Sequence, residues 1–273
     1  MQDCPPYHAL SYAWRSNQST RQTILEGVPF DIGANLSDAL YALEERFKLS
    51  RRIAGSESYL WVDALCIDQA NTEERNHQVR MMADIYSCAK VVIVWLELEF
   101  EYFLETLGPQ IVHEDLARNS LEMFFKADYW HRAWTVQEFE LAQDIIFAAG
   151  SSFVGIEYVS LVLRIDARVV LPSSLQYDRV IRRIRDRGTI RQLPLRELLV
   201  QFRDLECQDP RDTVFALLGL AQSEDTESGA PSIEPHFEWS PEELCVQLRA
   251  RGVEAWQLSE VLWLAASRCA RAQ

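Results

Sequence analysis

Residues 59–67 read YLWVDALCI, a nearly continuous apolar run with one carboxylate in its middle. Such a run is typical of a strand that is covered on both faces of a parallel sheet. The next segment opens with Asn71 and has Glu74 three residues on, the spacing of a capping box at a helix start. A second apolar run follows at 90–96. Strand, helix and strand with short joins predict a βαβ unit with parallel strands.

The residues before this unit continue the alternation of strands and helices. Residues 8–14 predict a strand, and Glu26-Gly27 between two apolar runs predicts a tight hairpin turn. Apolar residues then recur at helical spacing from Leu36 to Phe47, with Asn35 placed to cap the helix.

The residues after the unit predict the rest of the fold. A helix is expected over Tyr129–Gln143 and a short strand over 145–148, whereas the sequence from Glu157 onwards reads as mainly helical. We therefore expect an α/β protein with an open, mostly parallel sheet flanked by helices. Its predicted division is a core over 7–150 and a helical C-terminal region over 151–273.

Composition and charge exclude several classes of function. The chain has 273 residues and a formal net charge of −14, so a broad grip on nucleic acid or on an anionic membrane is not expected. Its apolar runs are too short to span a bilayer, and its first residues show no signal peptide. The six cysteines are scattered without metal-ligand spacing, which predicts reduced thiols in a cytoplasmic protein and no metal site.

One acidic residue has a spacing that suits catalysis. If residues 129–143 form one helix, Trp130, Trp134, Glu138 and Leu141 fall within roughly an 80° arc of it. A carboxylate beneath two indoles is partly desolvated, and such a group stabilises a positively charged transition state. The alternative interpretation is that the tryptophans are core packing and that Glu138 pairs with a nearby arginine.

A second set of polar residues lies in and after the first apolar run. Asp63 is inside the predicted strand, where a buried charge needs a partner, and Asp68 and Gln69 follow the strand at its carboxyl end. Ligands of open α/β sheets bind beyond those ends, so ribose or phosphate positioning is one interpretation. The other is structural: Asp63 anchors a loop and Asp68 organises the next helix.

The segment 179–196 carries seven arginines in an otherwise acidic chain. It suits a phosphate-rich ligand or an acidic partner, but a solvated helix face is the more common meaning of such a run.

Four ordered blocks of this sequence resemble the fungal heterokaryon-incompatibility (HET) domain. They are 7–14 (YHALSYAW), 60–69 (LWVDALCIDQ) with its continuation to Val94-Trp95-Leu96, 132–138 (RAWTVQE), and 209–212 (DPRD) with the apolar segment after it. Two positions depart from the pattern, because Arg15 and Glu97 stand where the family usually has glycine.

The resemblance implies a fungal cytoplasmic protein of non-self recognition and programmed cell death. The HET domain is regarded as a distant relative of the TIR domain, which has a flavodoxin-like α/β fold. Some TIR domains cleave NAD at the nicotinamide–ribose bond, and the spacing of Tyr129, Trp134 and Glu138 is similar to their motif. NAD is then a substrate and no cofactor is implied. In TIR-like folds the loop after the first strand borders the nucleotide, which brings in Ser11, Trp14 and Arg15.

The resemblance leaves other functions open. The same family membership fits a non-catalytic, self-associating signalling module, and it fits a degenerate member with neither activity. Expected partners are further copies of the chain or other cell-death signalling proteins.

Overall fold

The structure is a computed structural model that describes residues 4–14, 19–54, 59–97, 101, 124–165, 175–222, 233–250 and 252–253. The chain divides into two compact units. One, here called the sheet unit, comprises Met1–Val62, Ala89–Trp130 and Ala142–Arg187. The other, the helical unit, comprises Asp63–Cys88, His131–Leu141 and Gly188–Gln273. Each unit is made of three stretches of the chain. The domain boundary expected near residue 150 stays a prediction.

The sheet unit contains a five-stranded sheet and a separate hairpin. The sheet strands are β1 (Tyr7–Tyr12), β4 (Tyr59–Trp61), β5 (Val91–Trp95), β6 (Ile145–Ala149) and β7 (Ser152–Gly155); the hairpin strands are β2 (Thr20–Leu25) and β3 (Val28–Gly33). The hairpin turn is the predicted Glu26-Gly27, and both residues have positive φ, 50° and 83°. This is the backbone that a two-residue hairpin turn requires, so that prediction is confirmed.

The strand order of the sheet is β4-β1-β5-β6-β7. The first four strands are parallel, and β7 returns antiparallel to β6. The register runs from His8↔Val91 to Tyr12↔Trp95 between β1 and β5. Counting only the sheet strands in chain order gives 2-1-3-4-5, which is the flavodoxin-like order. The predicted α/β class with an open, mostly parallel sheet is confirmed.

Helices complete the sheet unit. They are α1 (Ala34–Ala54), α5 (Ile156–Ile165) and α6 (Leu175–Arg185). The predicted stripe of α1 is present, since Leu36, Ala39 and Leu43 are buried. The role predicted for Asn35 is wrong, because the helix already begins at Ala34 and the Asn35 side chain is used elsewhere, as described below.

The described residues of the helical unit form six α-helices and a short 3₁₀ turn at Thr189–Gln192. The helices are α2 (Asp63–Cys66), α3 (Thr72–Cys88), α4 (Trp134–Leu141), α7 (Leu195–Gln201), α8 (Asp212–Leu218) and α9 (Pro241–Arg249). The predicted cap of α3 is half confirmed. Asn71 Oδ1 accepts from the amide of Glu74 at 3.1 Å, but the Glu74 carboxylate accepts from the amide of Asp68 instead of that of Asn71.

Two predicted elements are corrected. The run 59–67 is not one strand, because β4 ends at Trp61 and the chain turns into α2 at Asp63, with Cys66 exposed. The predicted helix over Tyr129–Gln143 is divided into a 3₁₀ turn at Asp128–His131 and α4, which begins at Trp134. Apolar periodicity alone does not reveal such breaks, since it persists through them.

The arginine-rich segment 179–196 is more than a solvated face. In the sheet unit, Arg183 is buried with its guanidinium 5.1 Å from the Trp130 ring centroid, and Arg187 donates to the carbonyls of Ala142 and Gln143. In the helical unit, Arg191 Nε donates to the carbonyl of Glu140 at 2.8 Å. Arg182 and Arg185 do face solvent.

Candidate functional site

The predicted site residues fall into both units. Ser11, Trp14 and Tyr129 lie in the sheet unit, whereas Asp63, Asp68, Gln69, Trp134 and Glu138 lie in the helical unit. Arg15 lies outside the described residues.

Ser11 and Tyr129 contact each other directly. Ser11 sits near the end of β1 with its side chain fully buried, and its hydroxyl lies 2.9 Å from the Tyr129 hydroxyl. Tyr129 is buried as well, and its ring meets Trp130 edge to face at 5.1 Å. Trp14 is partly exposed and stacks on Tyr12 with ring centroids 6.3 Å apart. Of these three predicted residues, Trp14 is the one with surface open to solvent.

The carboxyl ends of β1 and β5 form the point where the strand order reverses, which is the usual ligand position in such sheets. Here Asn35 links the two strands. Its side-chain amide donates to the carbonyl of Ala13 at 3.0 Å, and its oxygen accepts from the Trp95 indole at 2.8 Å. Asn35 is buried, so these hydrogen bonds are made away from water. This bridge was not foreseen from the sequence, where Asn35 was predicted to be a cap.

Asp63, Asp68 and Gln69 are joined by short-range hydrogen bonds. Asp63 Oδ1 accepts from the amide of Ala64 at 2.7 Å, and the Gln69 side chain donates to the carbonyl of Asp63 at 3.2 Å. Asp68 Oδ1 accepts from the amide of Ala70 at 3.0 Å. Asp68 and Gln69 are exposed, while Asp63 is half-buried. These bonds shape the turn from β4 to α3, and the ligand-binding interpretation stays a prediction.

Glu138 lies in the middle of α4 and is only 4% exposed. Trp134, the first residue of that helix, precedes it by one turn, so the two share a face. Trp130 does not belong to this face, because it lies in the 3₁₀ turn before the helix begins. The expected arc of two indoles over Glu138 is therefore corrected to one indole on the same helix.

Glu140 is the second buried glutamate of α4. Its carboxylate accepts from the amide of Gly188 at 2.8 Å, where Gly188 has φ +84°. Glu140 thus has a structural role, and it serves below as a matched reference for Glu138.

A carboxylate that the sequence did not single out has a strongly perturbed acidity. Burial and the nearby charge of Asp209 raise the pKa of Asp212 to about 7, although a hydrogen bond from Trp134 and the charges of Arg132 and Arg75 act in the opposite direction. Groups with a pKa near neutrality are common at functional sites because they exchange protons under physiological conditions. The sequence placed Asp212 in the DPRD block but contained no sign of this acidity.

Asp209 is the contrasting member of the same block. Burial raises its pKa, but hydrogen bonds and the charge of Arg211 outweigh burial and hold the pKa below its ordinary value. Arg211 Nε donates to Asp209 Oδ1 at 2.8 Å, and Arg211 also donates to the carbonyls of Phe237 and Trp239. Because Arg211 is committed to these partners, Asp209 stays ionised beside Asp212.

Segment 234–239 packs against α3 in the helical unit. The buried side chain of Asn76 accepts from the amide of Phe237 at 2.8 Å and donates to both carboxylate oxygens of Glu238 at 3.0 and 2.9 Å. The Arg75 guanidinium lies 4.0 Å from the Phe237 ring centroid. These contacts hold Arg75 within the electrostatic reach of Asp209 and Asp212.

Residues 7–138 match the family model described as "Heterokaryon incompatibility protein (HET)". This match covers 132 of the 273 residues, which is just under half of the chain. Among curated proteins the chain is similar to "Heterokaryon incompatibility protein 6, OR allele" of Neurospora crassa, with 28% identity over 210 residues. That alignment covers 57% of this chain and 30% of the relative, so the chain spans less than a third of that protein's length. No solved structure gives a significant match.

Glu97, one of the two positions at which the sequence departs from the HET pattern that it resembles, has an unusual backbone conformation. Glu97 follows β5 with φ +69°, the left-handed conformation that glycine adopts without strain. This turn is therefore made by a residue whose Cβ disfavours it.

The DPRD block lies beyond the residues that match the family model, yet the segment leading into it contacts the end of the matched stretch. The amide of Ala133 donates to the carbonyl of Glu206 at 2.9 Å, and the amide of Glu206 donates to the carbonyl of His131 at 2.6 Å. This backbone bridge connects residues 131–133 to Glu206.

The described residues contain neither a metal-ion cluster nor a membrane-spanning helix. No group of three or more His, Cys, Asp or Glu residues is placed to hold a metal ion in that part of the chain. None of its helices is long and apolar enough to cross a membrane.

Proposed function

We propose that this chain acts in fungal non-self recognition and cell death. The proposal is supported by the HET domain at 7–138 and by the similarity to a Neurospora crassa protein named for heterokaryon incompatibility. Since the alignment covers 30% of that relative, the proposal concerns this chain and not the remaining length of the relative. The expected cytoplasmic location belongs to the same proposal.

We further propose that the output is cleavage of NAD at the nicotinamide–ribose bond. In this reaction the C–N bond breaks, its electron pair leaves with neutral nicotinamide, and the ribose passes through an oxocarbenium-like state. Water then adds to the ribose carbon and releases a proton, which gives ADP-ribose. A fixed carboxylate accelerates the reaction by stabilising the positive charge as it develops.

The observation that carries this proposal is the Glu138 carboxylate, buried one helical turn from Trp134 at the end of the HET domain. A buried carboxylate exerts a stronger field than an exposed one, because less water screens it. An indole beside it offers a face on which a nicotinamide or adenine ring stacks. The flavodoxin-like strand order adds support for the TIR-like comparison on which the reaction rests.

The test is nicotinamide release from NAD by the purified full chain. We expect Glu138→Gln to lower the rate by at least about 100-fold, as is usual when a charge-stabilising group is removed. Glu140→Gln is the matched control, because it changes a buried glutamate on the same helix whose role is structural. An inert wild type in its assembled form, or equal rates for Glu138→Gln and wild type, would refute the enzymatic proposal.

A second candidate function is a non-catalytic module that signals by self-association. It is favoured by apolar surface on the β2–β3 hairpin, where the cross-strand register puts Leu25, Val28 and Phe30 on one face. All three are exposed, Val28 by 63%. Under this function, growth arrest in a fungal host survives Glu138→Gln but is lost in Val28→Lys. Under NAD cleavage the sensitivities are reversed.

A further inference from the structure

We propose that the helical unit carries a docking site for an acidic segment of a partner protein with one aromatic side chain. The chain's own segment 234–239 occupies this site in the structure, and the partner's segment displaces it. The docking site consists of three residues of α3, the residue before α8 and one residue of α8: Arg75, Asn76, Arg80, Arg211 and Phe215. The inference does not depend on NAD cleavage, because none of these residues takes part in the reaction proposed above.

The docking site holds the backbone of its occupant through side-chain hydrogen bonds. Asn76 Oδ1 accepts from the amide of Phe237 at 2.8 Å. Arg211 donates to the carbonyls of Phe237 and Trp239, and to the latter at 2.7 Å. The occupant is irregular apart from a turn, in which the amide of Trp239 donates to the carbonyl of His236 at 3.2 Å. Such hydrogen bonds to the main chain supply affinity in peptide recognition, whereas side-chain pockets supply specificity.

One aromatic ring anchors the occupant. Phe237 is buried, and its ring meets Phe215 edge to face with the centroids 5.1 Å apart. The guanidinium groups of Arg75 and Arg211 lie 4.0 and 5.4 Å from the centroid of the Phe237 ring. Because cations are attracted to the negative face of an aromatic ring, this pocket prefers an aromatic side chain to an aliphatic one.

Charge and polarity around the ring select an acidic occupant. Arg80 forms an ion pair with Glu234 at 2.7 Å. The Asn76 amide donates to both carboxylate oxygens of Glu238, at 3.0 and 2.9 Å. One acidic residue therefore lies on each side of the aromatic anchor along the occupant. Three arginines in a chain with a net charge of −14 make this site complementary to an acidic segment.

The contacts of the occupant are of a kind that opens readily. The side chains of Arg80 and Glu234 are 39% and 51% exposed, and Glu238 is exposed as well, so water competes for their contacts. Phe237 is the one aromatic residue of segment 234–239 that is buried. A segment with few buried apolar contacts opens at a lower free energy than the core does.

The occupant also leaves one donor of the docking site unused. Arg75 Nε is buried and has no hydrogen-bond partner among the residues that the structure describes. A partner segment with an acceptor beside this atom forms a charge-assisted hydrogen bond that segment 234–239 does not make. This contact favours the partner, whereas covalent attachment favours the chain's own segment.

The test measures how a fluorescently labelled synthetic peptide with the sequence of residues 233–240 binds to the full chain, by fluorescence anisotropy. In the wild type the attached segment competes at an effective concentration of about millimolar order, so we expect weak binding. Phe237→Ala in the protein removes the anchor of the attached segment and leaves the docking site intact. The peptide should bind this variant at least about 10-fold more tightly than the wild type.

A second variant and a matched control guard against a folding defect. Glu238→Ala removes an exposed side chain, so it loosens the segment from Asn76 without a change in the core, and it should also bind the peptide more tightly than the wild type. His236→Ala is the control in the same segment, because its ring contacts Trp239 within the segment, and it should bind as weakly as the wild type.

Two altered peptides test the chemistry of the site. Phe237→Ala in the peptide, and replacement of its two glutamates by glutamine, should each weaken binding to the opened variants by at least about 10-fold. The proposal is overturned if neither Phe237→Ala nor Glu238→Ala in the protein binds the peptide more tightly than the wild type, or if the altered peptides bind equally well. Dimerisation of the two protein variants without peptide binding, measured by light scattering, would assign the site to a second copy of the chain and would also overturn it.

Discussion

Buried polar groups differ in kind between two regions of the protein, the carboxyl edge of the sheet and the DPRD block of the helical unit. At the sheet edge, Asn35 joins Ala13 and Trp95 through neutral hydrogen bonds, and Ser11 meets Tyr129 in the same manner. In the DPRD block the buried groups carry charge, and one oxygen of Asp212 lacks a described hydrogen-bond partner.

The two regions therefore differ in how their hydrogen bonds and charges respond to pH. Neutral hydrogen-bonded groups do not titrate near physiological pH, so the sheet edge keeps one arrangement across that range. A buried carboxylate close to a second carboxylate changes its charge when the pH changes by about one unit. The DPRD block is therefore the region of the two in which the surroundings can alter the contacts.

The largest effect is expected when the neutral bridge is broken. Asn35→Leu removes both hydrogen bonds and leaves the Ala13 carbonyl and the Trp95 indole buried without that partner. Orphaned buried groups cost about 1–3 kcal/mol each, so the free energy of unfolding should fall by roughly 3–4 kcal/mol. Denaturant unfolding measures this. Asn71→Ala is the control, since it removes an exposed asparagine that caps α3 and should cost only about 1 kcal/mol. A loss for Asn35→Leu no larger than that of the control would contradict the bridge.

The DPRD block should make the free energy of unfolding depend on pH. The pKa of Asp212 is raised from 3.8 to about 7 in the folded state, so the folded protein binds this proton more tightly than the unfolded chain does. The stabilisation that the bound proton gives is lost as the pH rises through about 7. Asp212→Asn removes the effect, and its advantage over the wild type should grow between pH 4 and 8 to roughly 2–4 kcal/mol. Unfolding curves at several pH values measure the difference. A constant difference across this range would show that Asp212 does not titrate as described.

The smallest effect is expected at Glu97, which follows β5 at the carboxyl edge of the sheet. Glu97→Gly should raise the free energy of unfolding by about 1 kcal/mol, because glycine adopts φ +69° without the strain that a Cβ brings. The same change at Glu45, in the middle of α1, should lower stability by a similar amount. If both variants lose stability, contacts of the Glu97 side chain outweigh its backbone strain.

The parts of the fold that depend on local chemistry were predictable from the sequence. The Glu26-Gly27 turn, the buried strand β5 and the Asn71 cap each follow from a few adjacent residues whose backbone preferences agree. The α/β class follows from their order along the chain. The end of β4 and the start of α4 were not predictable, because the periodic pattern continues past Trp61 and through Arg132-Ala133 although the backbone changes direction there.

The candidate site was less predictable because its character comes from tertiary packing. Glu138 was singled out, but Asp212 was not, because its acidity comes from burial and from the proximity of Asp209. Asn35 was predicted to cap a helix, and only the structure reveals that its amide spans two strands. A sequence names the groups that carry charge or hydrogen bonds, but distance and solvent exposure decide what those groups do.

The backbone bridge between Ala133 and Glu206 bears on how the protein can be shortened. A fragment that stops at residue 138, where the match to the family model ends, would lose Glu206, the backbone partner of His131 and Ala133. The segment before its last helix would then expose an amide and a carbonyl without their hydrogen-bond partner. The stretch that matches the family model is thus shorter than the stretch that folds, and expression of residues 7–138 alone should give an aggregation-prone product.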